Sequence, residues 1–233
     1  MSTKRSKRYN EAAKLVDRSK SYAVEEAVEL TKSFPAPKFD PTVTVSFHLT
    51  VDPRKADQMV RGSVALPHGT GKNVRVIVFA QGEAAQAALE AGAEKVGLED
   101  LIKEIQGGYL DFDSAIATPD AMAQVRKIAR VLGPRGLMPN PKTGTVTEDT
   151  AKAVREVKAG RVDFKVDKNA NISAAVGKLS FESDKLVENA RAFISAVVKA
   201  RPSGAKGAYI AGVTLSSSMN PGLTISQAEY AKQ

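Results

Sequence analysis

Few residues in this chain are of types that do covalent chemistry, and those few do not gather into a reaction centre. There is no cysteine, which removes thiolate nucleophiles, disulfides and thiolate metal sites together. The two histidines, His48 and His68, stand in unlike contexts, so no histidine metal cluster is expected. Leu66-Pro-His-Gly-Thr-Gly-Lys72 comes near a phosphate loop without being one. That loop needs a glycine where Leu66 stands, a hydroxyl residue where Asn73 stands, and a helix where Val74-Arg-Val-Ile-Val-Phe79 reads as a strand. The carboxylates balance lysines on polar helix faces, and no acid–base pair converges. An enzyme is therefore not expected, and neither is a catalytic residue, a metal or a cofactor. What remains is cationic chemistry: a formal charge of +8 favours a polyanionic partner.

The distribution of that charge says more than its size. Residues 1–67 hold 12 cations and 8 carboxylates, residues 68–159 hold 12 of each, and residues 160–233 hold 10 and 6. The excess lies at the two ends, so a domain built from both ends is the expected polyanion binder. Ser2-Thr-Lys-Arg-Ser-Lys-Arg8 is a basic arm free of apolar residues, suited to phosphates.

The elements that would position these cations follow from periodicity. Helical patterns at 10–16 and 24–31, the second with Ser21 as N-cap, precede the proline-rich segment 34–41. Residues 42–51 then alternate without a fault, Val43, Val45, Phe47, Leu49 and Val51 one way and Thr42, Thr44, Ser46, His48 and Thr50 the other: a half-buried strand. Asp52-Pro53 reads as a helix start, with Gly62 as its stop. From 74 to 158 the grammar changes. Strands at 74–79 and 114–117 alternate with helices at 82–93, 98–106, 120–129 and 149–158, as in a parallel α/β unit. Gly133-Pro-Arg-Gly-Leu-Met-Pro-Asn-Pro-Lys-Thr-Gly-Thr-Val-Thr147 fits neither period and is expected to be an ordered loop returning the chain from this insert.

After Gly160 alternation resumes. Residues 161–166 and 172–176 read as a hairpin about a turn at 167–171. Leu186, Val187, Ala190, Phe193, Ile194 and Val197 mark the buried face of a long helix. A basic loop at 201–207, a strand at 209–215, a turn at 216–222 and a strand at 223–225 complete the chain. The expected fold is α/β with two domains: a discontinuous α/β sandwich from residues 1–67 and 160–233, and an inserted three-layer, Rossmann-like α/β domain at 68–159. No apolar run could span a membrane and no signal peptide is visible, so a cytoplasmic location is expected.

Four segments carry a family likeness. Gly136-Leu-Met-Pro-Asn-Pro-Lys-Thr-Gly-Thr-Val146, Val51-Asp-Pro-Arg-Lys-Ala-Asp57, Leu66-Pro-His-Gly-Thr-Gly-Lys72 and Lys38-Phe-Asp40 resemble signature segments of the bacterial ribosomal protein L-one family, the large-subunit stalk proteins. The likeness covers nearly the whole chain. It implies the split two-domain fold, membership of the large ribosomal subunit, and binding of the split domain to the stalk region of large-subunit rRNA. It further implies help in releasing deacylated tRNA from the exit site and repression of the chain's own operon mRNA. Carried over residue by residue, the RNA surface comprises Lys38, Phe39, Thr42, Arg161, Lys165, Lys168, Ser217, Ser218, Met219 and Asn220. Two of these depart from the family, which usually has threonine at 218 and glycine at 220; it also often has a carboxylate at 44. Serine keeps the hydroxyl, and asparagine can adopt the left-handed conformation that glycine would allow, at some cost, while adding a side chain at the RNA contact. The competing classes are an enzyme using a phosphorylated substrate on the insert, opposed by that domain's neutral charge, and an RNA-binding factor that never joins the ribosome.

Overall fold

The computed structural model describes residues 5–205 and 207–230, the side chains of 56 and 142 aside. Residues 2–4 of the basic arm and residue 206 of the basic loop lie outside them. Helices α1 (Lys7–Lys14) and α2 (Val24–Ser33) lead into strand β1 (Thr42–Leu49) and, after a 3-10 turn at Ala56–Gln58, β2 (Arg61–Ala65). Then follow β3 (Val76–Phe79), α3 (Glu83–Glu90), β4 (Lys95–Gly97), α4 (Glu99–Gln106), β5 (Ser114–Ala117), α5 (Met122–Val125), α6 (Ala129–Leu132) and α7 (Thr150–Lys158). Strands β6 (Arg161–Lys165) and β7 (Asn171–Lys178), helix α8 (Ser183–Lys199), and strands β8 (Ile210–Ser217) and β9 (Leu223–Thr224) finish the chain.

These elements fall into two compact units, residues 1–71 with 162–233, and residues 72–161. The first crossing lies beyond the expected 67/68 because the loop after β2 is tied into the first unit. The His68 N–H donates to Asn189 Oδ1 (3.1 Å), and Asn189 Nδ2 donates to Gly69 O (2.9 Å) and Val176 O (2.8 Å). Asn189 is fully buried within the apolar stripe of α8, and removing it leaves three backbone groups, one of them buried and two half-buried, short of a partner. Asn189→Ala is expected to lose about 2 kcal/mol of stability in urea denaturation.

The first unit carries a four-stranded sheet in the order β7-β1-β8-β9, with β1 antiparallel to both neighbours. One face of β1 presents Val43, Val45, Phe47 and Leu49 to the core, where the α8 stripe and Val24, Ala27 and Val28 of α2 cover them. The single-period alternation of β1 and the 3.6 period of α8 therefore meet in one apolar layer.

Two expectations about the strands are corrected. Residues 52–61 are not a helix. Asp52 Oδ1 accepts from Arg54 N–H (3.1 Å) and Gln58 Oε1 accepts from Asp52 N–H (2.8 Å), which closes a compact turn, after which β2 runs on. Gly62 does not stop a helix. It sits in β2, where a Cβ would lie 2.8 Å from Phe164 Cζ. Nor are residues 161–176 a hairpin. Asp167 N–H does donate to Asn171 O (2.8 Å), but the strands part there: β6 pairs with β2, and β7 pairs with β1. Helix α2 likewise starts without Ser21; Ala23 holds the N-cap position, because Tyr22 is engaged in a parallel bridge to Ile225.

The second unit is a three-stranded parallel sheet, β4-β3-β5, with helices on both faces. Val76, Val78 and Ile116 face Ala88 of α3 and Ala153, Val154 and Val157 of α7. Ile77, Phe79, Ala115 and Ala117 face Leu101, Ile102 and Ile105 of α4 and Val125, Ile128 and Leu132 beyond β5. This is the three-layer arrangement that near-continuous apolar strands require. The helix expected at 120–129 is instead α5, a 3-10 turn and α6 in succession. The loop 133–147 docks on this unit's own sheet: Ala117 N–H donates to Thr145 O and Thr147 N–H donates to Ala117 O, at 3.0 and 3.1 Å.

Candidate nucleic-acid interface

The face of the β7-β1-β8-β9 sheet opposite α2 and α8 is mostly polar, with Ala175 beside Thr44 and Gly212 beside His48 as its small non-polar positions. Thr42, Thr44, Ser46 and His48 of β1 stand beside Ser173 and Asn171 of β7 and beside Ser216 and Thr214 of β8, by register. Ser46 and Ser173 share a hydrogen bond of 2.8 Å, and His48 Nδ1 lies 2.9 Å from Asn171 Oδ1. No carboxylate stands among these positions. Such a face offers hydroxyls and amides without repelling phosphate, which suits 2′-hydroxyls and unpaired base edges.

Seven of the ten candidate residues gather at one end of this sheet. Ser218 N–H donates to Thr42 O (3.0 Å) and Thr42 N–H donates to Ser218 Oγ (3.3 Å), so the turn after β8 is stitched to the start of β1. Lys178 Nζ donates to Thr42 Oγ1 at 2.9 Å. The Asn220 N–H closes the turn on Ser217 O (3.0 Å). Met219 is then the third of four turn residues, where a type II turn demands positive φ, and its φ is +64°. The left-handed residue is thus Met219, and Asn220 is not left-handed. Asn220 instead spends its amide on Ser217 Oγ, at 2.7 Å.

Ser217 is also placed differently from expectation. It is 3% exposed, on the core side of β8, and holds the turn from beneath. The side chains that project are Phe39 and Met219, 48% and 69% exposed. Both rest on fixed backbone. Asp40 beside Phe39 accepts from Ser180 N–H (3.2 Å) and Ser180 Oγ (2.7 Å). Arg8 donates to Met219 O (3.2 Å), Asn220 Oδ1 (3.5 Å) and Pro35 O (3.5 Å), bridging the two segments. Lys38 is exposed next to Phe39. The result is two apolar side chains held out on a rigid rim, with a lysine and hydroxyls beside them.

The other three candidates lie elsewhere. Leu49 N–H donates to Ala170 O, so the turn bearing Lys168 sits at the far end of β1, roughly 25 Å along an eight-residue strand. There Lys165 and Lys168 line an open cleft of about 800 Å³ with Arg54, Met59 and Asp167. The N–H of Asn171, then that of Asn169, holds the Asp167 carboxyl below the usual carboxylate range, so the turn stays ionised at neutral pH. Arg161 falls with the second unit; it pairs with Glu156 (3.0 Å) and donates to Thr143 O, which anchors the 133–147 loop. Among the described residues no group of three His, Asp or Glu could hold a metal ion, and no helix is long and apolar enough to cross a membrane.

Comparison with known proteins decides the family. The model of the Ribosomal protein L1p/L10e family matches residues 29–221. The chain belongs to that family. It is 60% identical to the large ribosomal subunit protein uL1 of Saccharopolyspora erythraea over 222 residues, covering 95% of this chain and 93% of that one. With the uL1 proteins of Mycobacteroides abscessus and Beutenbergia cavernae it shares 57% and 56% identity, each over 96% of this chain and at least 94% of theirs.

Sequence reasoning missed Lys178 and read Arg8 only as part of a phosphate-binding arm, because their partners are 136 and 212 positions away. Only the outward phase of the strand alternation hinted at Lys178, and nothing local tied Arg8 to the turn at 217–220. The left-handed Met219 gives a test of its own. Met219→Gly removes a non-glycine residue from φ +64°, so it is expected to raise stability by about 1 kcal/mol in denaturant melts. It also deletes the projecting thioether and should weaken RNA binding, a stability gain with an affinity loss that marks a residue kept under strain for its contact.

Proposed function

We propose that this chain is a structural constituent of the large ribosomal subunit, in the cytoplasm, and binds the stalk region of its rRNA through the Thr42–Ser218 end of the open sheet. The observation that carries this reading is a carboxylate-free polar sheet face ending in Phe39 and Met219, both exposed on hydrogen-bonded backbone. Unstacked bases find apolar platforms there, and the 2′-hydroxyls and phosphates find hydroxyls and cations. The first unit also holds 21 cations against 14 carboxylates, whereas the second holds 13 against 12. The same surface would serve the chain's own operon mRNA, with repression of its translation following from occupancy. Movement of the bound stalk would assist departure of deacylated tRNA from the exit site. Membership of the family and the kinship to uL1 proteins are what support these last two roles.

The test is filter binding of the full chain to a stalk-region rRNA fragment and to an unrelated RNA of equal length, across 50–400 mM salt. Affinity for the fragment is expected to exceed that for the control by about 10³ or more, and both should fall with salt, at roughly 0.7–0.9 per phosphate neutralised. Equal affinities for the two RNAs would reduce the chain to a basic polyanion binder.

A further inference from the structure

Arg8 belongs by sequence to the run of arm cations, yet it does not reach for solvent as a phosphate-seeking side chain would. The residue is half-buried, and its guanidinium donates to three protein oxygens. Nη1 donates to Pro35 O and to Asn220 Oδ1 at 3.5 Å each, and Nη2 donates to Met219 O at 3.2 Å. Pro35 begins the segment that carries Lys38 and Phe39; the other two acceptors lie in the turn that carries Met219. None of the three is a carboxylate, and among the described residues Arg8 forms no ion pair.

Helix α1 aims it there. Ser6 caps that helix, its Oγ accepting from Tyr9 N–H (3.3 Å) and its carbonyl from Asn10 N–H (3.1 Å). Ala12 is fully buried in the core of the first unit, and Val16 packs on the same core. Arg8 stands one turn before Ala12 on the same helix face, so the packing of that face brings the guanidinium to the turn after β8. Arg5 is likewise folded back, its guanidinium 4.4 Å from the centre of the Tyr9 ring. Asn220 carries the connection inward. Its Oδ1 accepts from Arg8 while its Nδ2 donates to Ser217 Oγ (2.7 Å), on the core side of β8.

We infer that Arg8 is a positioning residue for RNA binding, a strap that sets the Phe39 segment and the Met219 turn at one spacing before RNA arrives. The inference rests on the sheet-end reading of the interface. Ser180 holds Asp40 and Ser218 holds Thr42, both at the strand end of the segment. Arg8 holds the other end, at Pro35, to the turn, so the loop that bears Phe39 is fixed on both sides. A planar fork can serve three acceptors in fixed directions, which the point charge of a lysine cannot. A group already ordered need not be ordered by the ligand, and each one left loose lowers affinity about two- to twelvefold. With its donors committed to protein oxygens, Arg8 adds little to the counterion part of binding.

The test is binding of the full chain to the stalk-region rRNA fragment between 50 and 400 mM salt. The variants are Arg8→Ala, Arg8→Lys, the Phe39→Ala, Met219→Ala pair, and that pair with Arg8→Ala added. Arg8→Ala is expected to weaken binding about tenfold at 100 mM salt, with the log–log salt slope unchanged. Arg8→Lys should lose nearly as much, because the charge stays and the fork goes. Added to the pair, where no platform is left to place, Arg8→Ala should cost less than about twofold more. A change that merely loosened the fold would cost the same with or without the platforms. Wild-type affinity in Arg8→Lys, with a slope lower by about 0.7–0.9 in Arg8→Ala, would make Arg8 a plain phosphate contact and overturns the inference. So does wild-type affinity in Arg8→Ala, or a full tenfold loss on top of the pair. Wild-type affinity in the pair itself sinks the sheet-end reading, and the strap with it; a loss in the pair with none in Arg8→Ala sinks the strap alone.

Discussion

Replacing Phe39 and Met219 together by alanine is expected to weaken binding of the stalk-region rRNA fragment by roughly 30- to 700-fold, with no change in salt slope. Each side chain projects from a backbone that other groups hold, Asp40 on Ser180 for the one and Arg8 on Met219 O for the other, so truncation leaves the rim in place. Base–aromatic stacking is worth about 1–3 kcal/mol per base, and a thioether against a ring somewhat less. Losing both therefore costs about 2–4 kcal/mol, and each 1.4 kcal/mol is a factor of ten in affinity. Neither residue is charged, so the counterion term should be untouched. Lys38→Ala should do the opposite, flattening the slope by about 1 with only a modest loss of affinity. Wild-type affinity in the double variant would remove the sheet end from the interface, whatever the family resemblance implies.

What could be read from the sequence divides along a physical line. The faultless alternation at 42–51 settled which residues of β1 face the core, because the side-chain period of a strand is local and needs no partner. The same holds for the α8 stripe and the apolar strands of the insert. Partner choice is not local. Residues 161–166 and 172–176 carry every signal of a hairpin, yet β6 pairs with β2 and β7 with β1, because alternation fixes a face and says nothing of which neighbour fills the ladder. The Asp52-Pro53 helix start was overridden for a like reason: Phe164 lies over Gly62, and a strand there completes the core where an isolated short helix would gain little.

The candidate site follows the same division. Phe39 and Met219 were named through family likeness, and the structure places both on the surface. Ser217 was named beside them, but one step along a strand reverses the face, and it lies inside. Asn220 could adopt the left-handed region, since asparagine tolerates it. The closure of the turn on Ser217 O puts the demand one position earlier, on Met219.

Phe193→Ala is expected to cost about 3–5 kcal/mol, the largest stability effect of any single change considered. Phe193 is fully buried, and its ring meets Phe47 edge-on at 5.5 Å and 74° and Phe164 at 5.7 Å and 79°. Phe47 belongs to the four-stranded sheet and Phe164 to the two-stranded β2–β6 pair, so a single ring on α8 bridges two sheets that share no hydrogen bond. A two-stranded sheet is marginal without packing, which makes β2–β6 the element most dependent on that ring. The expected signature in native-state hydrogen exchange is thus uneven. Protection should fall furthest in β2 and β6, less in α8, and least in β1, whose ladders to β7 and β8 are intact. Phe193→Leu, which keeps most of the volume but loses both edge-to-face contacts, should cost about 1–2 kcal/mol with the same ranking. A loss for Phe193→Ala below about 1 kcal/mol, or equal loss of protection in β1 and β6, would mean that the small sheet is held by its own pairing and not through α8. Gly62 would then be the next position to test, since a side chain there pushes on Phe164 directly.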